Sequence, residues 1–562
     1  MSTERSLSIV SGPPLRDEPG LGSLTLPGFL REVTEAYAER EALVMHEAGG
    51  VTRWTYAQLW ERAIEVARAL RAAGVGKDTR VGVLMTNRPE WIAAVFGTAL
   101  AGGVAVTLST FSTKSELEHL LQASSTAVLL FERQVLSKDF AAILTELEPE
   151  LGKAGSGPLQ SATFPFLRRL VVVGEPTPET RIEAWESFLE LGHTEPRELV
   201  EATAAATLPS DTAVLFFSSG TTSKPKGILS AHRGVTIQMW RFRRMYQFSP
   251  DDKIRSWAAN GFFWSGNFGM ALGVTLAAGG TLVLQPTFNV AEALELMQTE
   301  RVSYPIAWPH QWAQLEAAPN WGQVDLSSVR FADVSSPFAR HPTVSTDWHE
   351  PNKAYGNTET FTISTCYPGD TPPEVHRGSS GVPLPGVTVK IADALTGEVV
   401  PRGERGEIYV KSATLMLGYL GKPLDETLDA DGYFPTGDGG YLDEDGRLFW
   451  EGRLTDIIKT GGANVSPLEV DEAILKYPGV KVTKTVGVPH EALGEVVVAC
   501  VVPHEGESLE ADAIRAFLRE RLASYKVPRQ VLFFREDEIA LTGSAKIKSS
   551  DLRDLAVKRL QE

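Results

Sequence analysis

The chain has 562 residues, 43% of them hydrophobic and 22% charged, and a formal net charge of -17. That length exceeds one ordinary core, and the composition is that of a globular protein rather than a disordered or fibrous one. So negative a balance excludes a general affinity for nucleic acid or anionic membrane, although local basic sites can still bind phosphate.

Residues 1–26 mix Ser, Pro, Gly and charges without the apolar stretch of a secretory signal, and are expected to be a poorly ordered lead-in. Tyr56, Leu59, Ala63, Val66 and Leu70 recur at three- and four-residue intervals, which predicts an amphipathic helix over 55–75. The apolar run from Arg80 to Met85 predicts a strand covered on both faces, and helical spacing returns over Trp91–Leu100. Repetition of this alternation predicts an α/β fold with doubly wound sheets, binding ligands beyond the carboxyl ends of the strands. Glu148–Ser161 and Glu175–Ser210 read as surface excursions. The most apolar stretch, Met270–Leu284, is broken by glycines and falls short of the about twenty consecutive apolar residues of a membrane span.

From about Gly381 the pattern changes to short strands with close turn signals, which predicts a β-rich subdomain over about 381–453. Residues 27–453 are then one large domain, and 454–562 a small α+β domain. Asp429-Ala-Asp-Gly432 and Asp443-Glu-Asp-Gly446 lack the remaining ligands of a calcium loop and read as hairpin turns. Cys366 and Cys500 stand far apart, with no metal-ligand spacing, which fits a reducing, cytoplasmic setting.

The strongest local chemistry follows the strand Ala213–Phe217, where Ser218, Ser219, Gly220, Thr221, Thr222, Ser223, Lys224, Lys226 and Gly227 gather hydroxyls, glycines and two lysines. Free amides, hydroxyl donors and flexible cations suit a polyphosphate and a departing pyrophosphate. Taken alone, the loop fits a solvated turn equally well. Its residue order resembles the signature Ser-Gly-Thr-Thr-Gly-x-Pro-Lys-Gly of the adenylate-forming superfamily, which includes acyl- and aryl-CoA synthetases, firefly-type luciferases and peptide-synthetase adenylation domains. Ser223 replaces the second glycine.

The resemblance runs in order from about Thr55 to Ile547 and implies roles for further residues. Tyr355, Gly356, Asn357, Thr358 and Glu359 match Tyr-Gly-x-Thr-Glu, in which the Thr contacts phosphate and the Glu holds magnesium, a hard cation suited to carboxylate oxygen. Asp438 in Thr436-Gly-Asp438, and Arg453 after Gly452, are implied ribose contacts. Ser335, Ser336 and Pro337 fall in the adenine segment, where the family commonly has Gly-Gly-Ala-Pro. Lys546, in a Thr-x-x-Gly-Lys-Ile-like motif with Ala545 for glycine, is the implied catalytic lysine bridging the attacking carboxylate and the α-phosphate.

The resemblance also implies a C-terminal domain that rotates between two half-reactions, with Thr455 as the hinge and Lys459, Gly461 and Gly462 in the thioester loop. The implied acyl-pocket segments supply His232, Phe262, Phe263, Trp264, Gly266 and Trp308, with Phe263 where many relatives carry His. Each ring taken singly fits a packed core as well as a pocket wall; together they favour an apolar acid, whether fatty, cyclic or aryl. No Asp stands in the first segment to pair with an ammonium, which disfavours an α-amino acid. His232 fits a structural place at a helix start equally well.

The implied activity is acyl-CoA ligation with ATP, Mg2+ and coenzyme A. The chain ends soon after Lys546, with no fused carrier domain expected, so free coenzyme A leads over a separate carrier protein. A silent nucleotide- or acyl-adenylate-binding relative and a luciferase-like oxygenase are the readings from other classes.

Overall fold

The computed structural model describes residues 6–561 apart from 154, 156, 176, 177, 179, 219–224, 352, 461, 462, 491, 492, 523 and 539–548. The chain divides into two compact units, one of Ser11–Val387 with Lys411–Gly432 and one of Met1–Val10, Thr388–Val410 and Tyr433–Glu562. This division does not coincide with the expected break at 453/454. Most of the β-rich segment groups with the C-terminal residues.

In the first unit, strands Ile182–Ala184, Arg169–Val173, Val128–Glu132, Arg80–Leu84, Val104–Thr107 and Thr212–Ser218 run parallel, in that spatial order. Lys226–Ala231 and Gly418–Tyr419 extend the sheet antiparallel. A second sheet places Tyr304–Ile306, Arg255–Ala258, Thr281–Leu284 and Glu41–Glu47 parallel, edged by the antiparallel Gly50–Thr55. Arg80–Leu84 lies inside its sheet with Val81, Val83 and Leu84 buried, as a continuous apolar run requires.

The helix Tyr56–Ala72 starts at a capping box between Thr55 and Gln58 and buries Tyr56, Leu59, Ala63, Val66 and Leu70, the expected face. The second supposed excursion contributes more than surface. It supplies the edge strand Ile182–Ala184 and the helices Trp185–Leu191 and Arg197–Ala206, whose Trp185, Phe188 and Val200 join the main core. Its acidic composition hid an apolar face spaced at helical intervals.

Residues 6–26 are likewise not an unordered lead-in. Ile9–Ser11 forms an edge strand, and Glu18 makes a two-point ion pair with Arg241, Oε1 to Nε at 2.9 Å and Oε2 to Nη2 at 2.7 Å. The anchors here are backbone hydrogen bonds and a buried charge pair, so the segment shows no apolar signature.

In the other unit, Ile9–Ser11, Val387–Ala392, Gly406–Ser412, Phe434–Leu442 and Leu448–Arg453 form one sheet. Ala463–Val465, Ile458–Thr460, Gly494–Pro503 and Val480–His490 form another, with Gln530–Phe533 parallel to Gly494–Pro503. The helices Pro467–Ile474 and Ala511–Arg519 contribute Val470, Ile474, Ile514 and Leu518 to a core with Val497, Ala499 and Val501. The two Asp-rich segments are turns, closed by Gly432 N–H to the Asp429 carbonyl and Gly446 N–H to the Asp443 carbonyl. No helix among the described residues is long and apolar enough to cross a membrane.

Candidate active site

Ser218 ends one strand and Lys226 begins the next, and the two residues are paired across an antiparallel ladder. Ser218 and Lys226 therefore stand at the carboxyl end of a parallel strand, the edge at which doubly wound sheets take ligands. Ser219, Gly220, Thr221, Thr222, Ser223 and Lys224 lie outside the described residues, as do Lys546, Gly461 and Gly462. Gly227 sits where a Cβ would stand 3.0 Å from that of Leu420.

Glu359 lies in the 3-10 turn Thr358–Thr360, which Asn357 caps by accepting the Thr360 N–H at 3.0 Å. Gly356 has no room for a side chain, since a Cβ would come within 1.6 Å of the Thr362 carbonyl oxygen. Tyr419 donates its hydroxyl to Glu359 Oε1 at 2.7 Å, and Lys226 Nζ stands 5.4 Å from the centroid of the same ring. One ring thus holds the carboxylate of one motif and the cation of another. Glu359 Oε2 has no protein partner among the described residues, and a carboxylate oxygen left open near Lys226 suits a hard cation such as magnesium. No group of three or more His, Cys, Asp or Glu among the described residues offers an all-protein metal cage.

Thr358 accepts a 3.4 Å contact from the Ser265 hydroxyl, which links the Glu359 turn to the first acyl-side segment. Tyr355 is buried on the strand Ala354–Asn357. In the segment expected to contact adenine, Ser335 is exposed and hydrogen-bonded to Asp333, while Ser336 and Pro337 start a 3-10 turn and the buried Ser336 Oγ has no partner among the described residues. Asp333 also accepts the Glu350 N–H, and burial, with Asp333 nearby, pushes the Glu350 carboxyl up to about 7.

The residues expected to line the acyl pocket separate into core and surface. Phe262 is core, packed on Trp91 at 5.6 Å. Phe263 and Trp264 meet edge-on at 4.8 Å. Trp308, at the start of the helix Pro309–Glu316, is 36% exposed. Gly266 opens onto free space, with no heavy atom within 4 Å of where a Cβ would stand. Asn260 and Gln311 exchange two side-chain hydrogen bonds, 2.9 and 3.0 Å, tying the two aromatic segments together. Neither was singled out from the sequence, and nor was Tyr419; their partners lie 51 and 60 residues away, so no local spacing marks them.

His232 begins the helix His232–Met245, buried, and its Nδ1 accepts the Leu26 N–H at 3.1 Å. It stands at the start of its own helix and holds the start of another. Burial pushes its pKa down to about 4, so the folded chain binds this proton less readily than the unfolded one. The associated stability is fully present above about pH 6.5 and is lost as pH falls towards about 4. His232→Asn, which keeps an acceptor without the titration, is expected to flatten the stability profile in that window. Urea midpoints measured from pH 7 to 4 check this, and an unchanged slope would assign the acid limb elsewhere.

In the other unit, Asp438 and Arg453 are cross-strand partners, with Arg453 Nε 3.1 Å from Asp438 Oδ1. Arg453 Nη1 also donates to the Thr436 carbonyl at 2.6 Å, and the Thr436 hydroxyl accepts the Asp438 N–H at 3.1 Å. Gly437 turns the chain at φ 72°, a region that favours glycine. A buried carboxylate beside a half-exposed guanidinium offers acceptor and donor to vicinal hydroxyls. Thr455 is exposed in the turn that follows, and the Lys459 N–H donates to Glu495 Oε2 at 2.9 Å.

Comparison with known proteins supplies independent findings. The profile of the AMP-binding enzyme family matches residues 30–420, and that of the AMP-binding enzyme C-terminal domain matches 469–546. A methyl-dioxo-octahydro-indenyl-propanoyl:CoA ligase of Rhodococcus jostii (strain RHA1) is 31% identical over 94% of this chain and 98% of its own. A feruloyl-CoA synthase of an Amycolatopsis species is 32% identical over 90% of this chain and 94% of its own. Among solved structures, an anthranilate CoA ligase in complex with anthranoyl-AMP superposes with a TM-score of 0.78 at 25% identity, covering 98% of this chain and all of the other.

Proposed function

Since this chain belongs to the AMP-binding enzyme family and is an ATP-dependent, AMP-forming ligase using Mg2+ and coenzyme A, we propose that it activates an apolar carboxylic acid as acyl-AMP and transfers the acyl group to coenzyme A. The observation that carries the reading is the shared Tyr419 ring, which holds Glu359 and Lys226 together at the hydroxyl-rich hairpin.

In this reading the hairpin from Ser218 to Gly227, with Lys224 and Lys226, binds the triphosphate and stabilises departing pyrophosphate. Magnesium, when bound, neutralises phosphate charge, and Glu359 Oε2 would hold it. The Tyr419 hydroxyl fixes the other carboxylate oxygen, so Glu359 is oriented before ATP arrives. Thr358 contacts phosphate, Ser335, Ser336, Pro337 and Tyr355 contact adenine, and Asp438 and Arg453 contact ribose. Lys546 offsets repulsion as the carboxylate approaches the α-phosphate. Thr455 is the hinge, and the loop from Lys459 through Gly461 and Gly462 serves thioester formation. Phe263, Trp264 and Trp308 form the apolar side for the acid. Two buried cysteines, both free thiols, suit the reducing, cytoplasmic setting that belongs to this proposal.

The test is a panel of carboxylic acids with Mg-ATP, following pyrophosphate release and acyl products by mass spectrometry, with and without coenzyme A. Acyl-CoA is the expected product. Acyl-AMP alone would point to a carrier protein or another acceptor, and no product with any acid would return the chain to a nucleotide-binding role.

A further inference from the structure

Phe111 is a large apolar side chain left 52% exposed. It sits between the strand Val104–Thr107 and the helix Lys114–Ser124, beyond the carboxyl end of a strand paired with Thr212–Ser218. That is the ligand edge of the sheet. Its loop is held on a defined course, since Lys138 Nζ donates to the carbonyls of Thr110 at 3.1 Å, Phe111 at 2.8 Å and Ser112 at 2.9 Å. An ammonium has three protons to give, and here each meets a carbonyl of one short loop.

The ring so presented is not solitary. It lies against Trp264 with centroids 6.1 Å apart and planes 18° from parallel, and meets Phe263 edge-on at 6.0 Å. Thr107 Oγ1 donates to the Phe263 carbonyl at 3.1 Å, joining the two segments below the rings. Gly266 beside them opens onto free space. Single exposed apolar side chains are ordinary on a protein surface, as Phe166 and Leu136 are here. This one is clamped by its backbone and stacked on one side, with half its surface left to solvent.

We propose that Phe111 is a specificity-determining residue whose ring, with Trp264, receives a ring-bearing acyl group, so that aryl and alicyclic acids are selected over straight chains of equal carbon number. The inference rests on the acyl-side reading of Phe263 and Trp264 given above and narrows it. An aryl ring gains aromatic contact geometry in addition to buried area, and an alicyclic ring buries its area with few rotors to freeze, whereas a straight chain of equal carbon number loses more rotamer freedom. The phenylalanine at position 263, where many relatives carry histidine, keeps this corner apolar.

The experiment is ATP–pyrophosphate exchange by the full chain with cinnamate, 3-cyclohexylpropanoate and nonanoate, comparing wild type with Phe111→Ala and Phe111→Tyr. Phe111→Ala is expected to raise KM for both ring acids about tenfold, with kcat, the KM for ATP and the KM for nonanoate little changed, and Phe111→Tyr is expected to restore ring-acid KM. Equal rises for all three acids would show a merely structural loop and overturn the proposal. So would an unchanged ring-acid KM, or a wild type that prefers nonanoate to both ring acids while still adenylating. Exchange with none of these or of the wider panel would instead strike the adenylation reading itself, and this inference with it.

Discussion

Exchanging Lys546 for alanine is expected to slow acyl-AMP formation roughly 10²- to 10³-fold, the range seen when one preorganised electrostatic donor is lost. Adenylation brings a carboxylate against a phosphate that already carries negative charge. In the proposed reading the lysines of the 218–227 segment serve the phosphates, as magnesium would when bound, which leaves the approaching carboxylate to a cation that can reach both anions. A lysine ammonium suits this because it is compact and carried on a flexible stem. Lys546 lies outside the described residues, so the expectation rests on its motif and not on a distance. Single-turnover formation of acyl-AMP is the first readout. Thioester formation from supplied acyl-AMP is the second, and should fall much less, because the carboxylate has by then been activated. Normal adenylation in the variant would remove Lys546 from the chemistry.

Replacing Glu18 with alanine is expected to destabilise the chain by about 3–5 kcal/mol, the usual consequence of removing one partner from a buried ion pair. The Arg241 and Glu18 side chains are 0% and 1% exposed, and Arg241 also donates to Gln238 Oε1 and the Pro385 carbonyl. Without Glu18 the guanidinium remains inside with neutral acceptors alone. The effect concerns stability and not chemistry, so ATP–pyrophosphate exchange at low temperature should persist while the urea midpoint falls. A double variant with Arg241→Met should recover much of the loss, since an apolar side chain there carries no charge to desolvate. Equal midpoints for wild type and Glu18→Ala would mean that water reaches the pair.

The helical face of residues 56–70 and the strand at Arg80–Leu84 were legible because burial imposes a period that sequence displays directly. Motif order was legible in the same way, since Ser218–Gly227, Tyr355–Glu359 and Thr436–Asp438 are contiguous and chemically unusual. The misread segments share one feature. Residues 6–26 and 175–210 carry many polar and charged residues, and composition does not reveal a buried ion pair at Glu18 or apolar anchors such as Phe188.

The sequence by itself determined the family and the α/β alternation, and it supplied the proposed phosphate, ribose and metal residues, because each depends on local order or spacing. Only the tertiary structure decided that Tyr419 orients Glu359, that His232 is a buried neutral acceptor for Leu26, that Phe262 belongs to the core and that Phe111 stacks on Trp264. Those are single contacts between residues far apart in the chain, made by the crossing of strands and loops, and no periodicity along the sequence carries them.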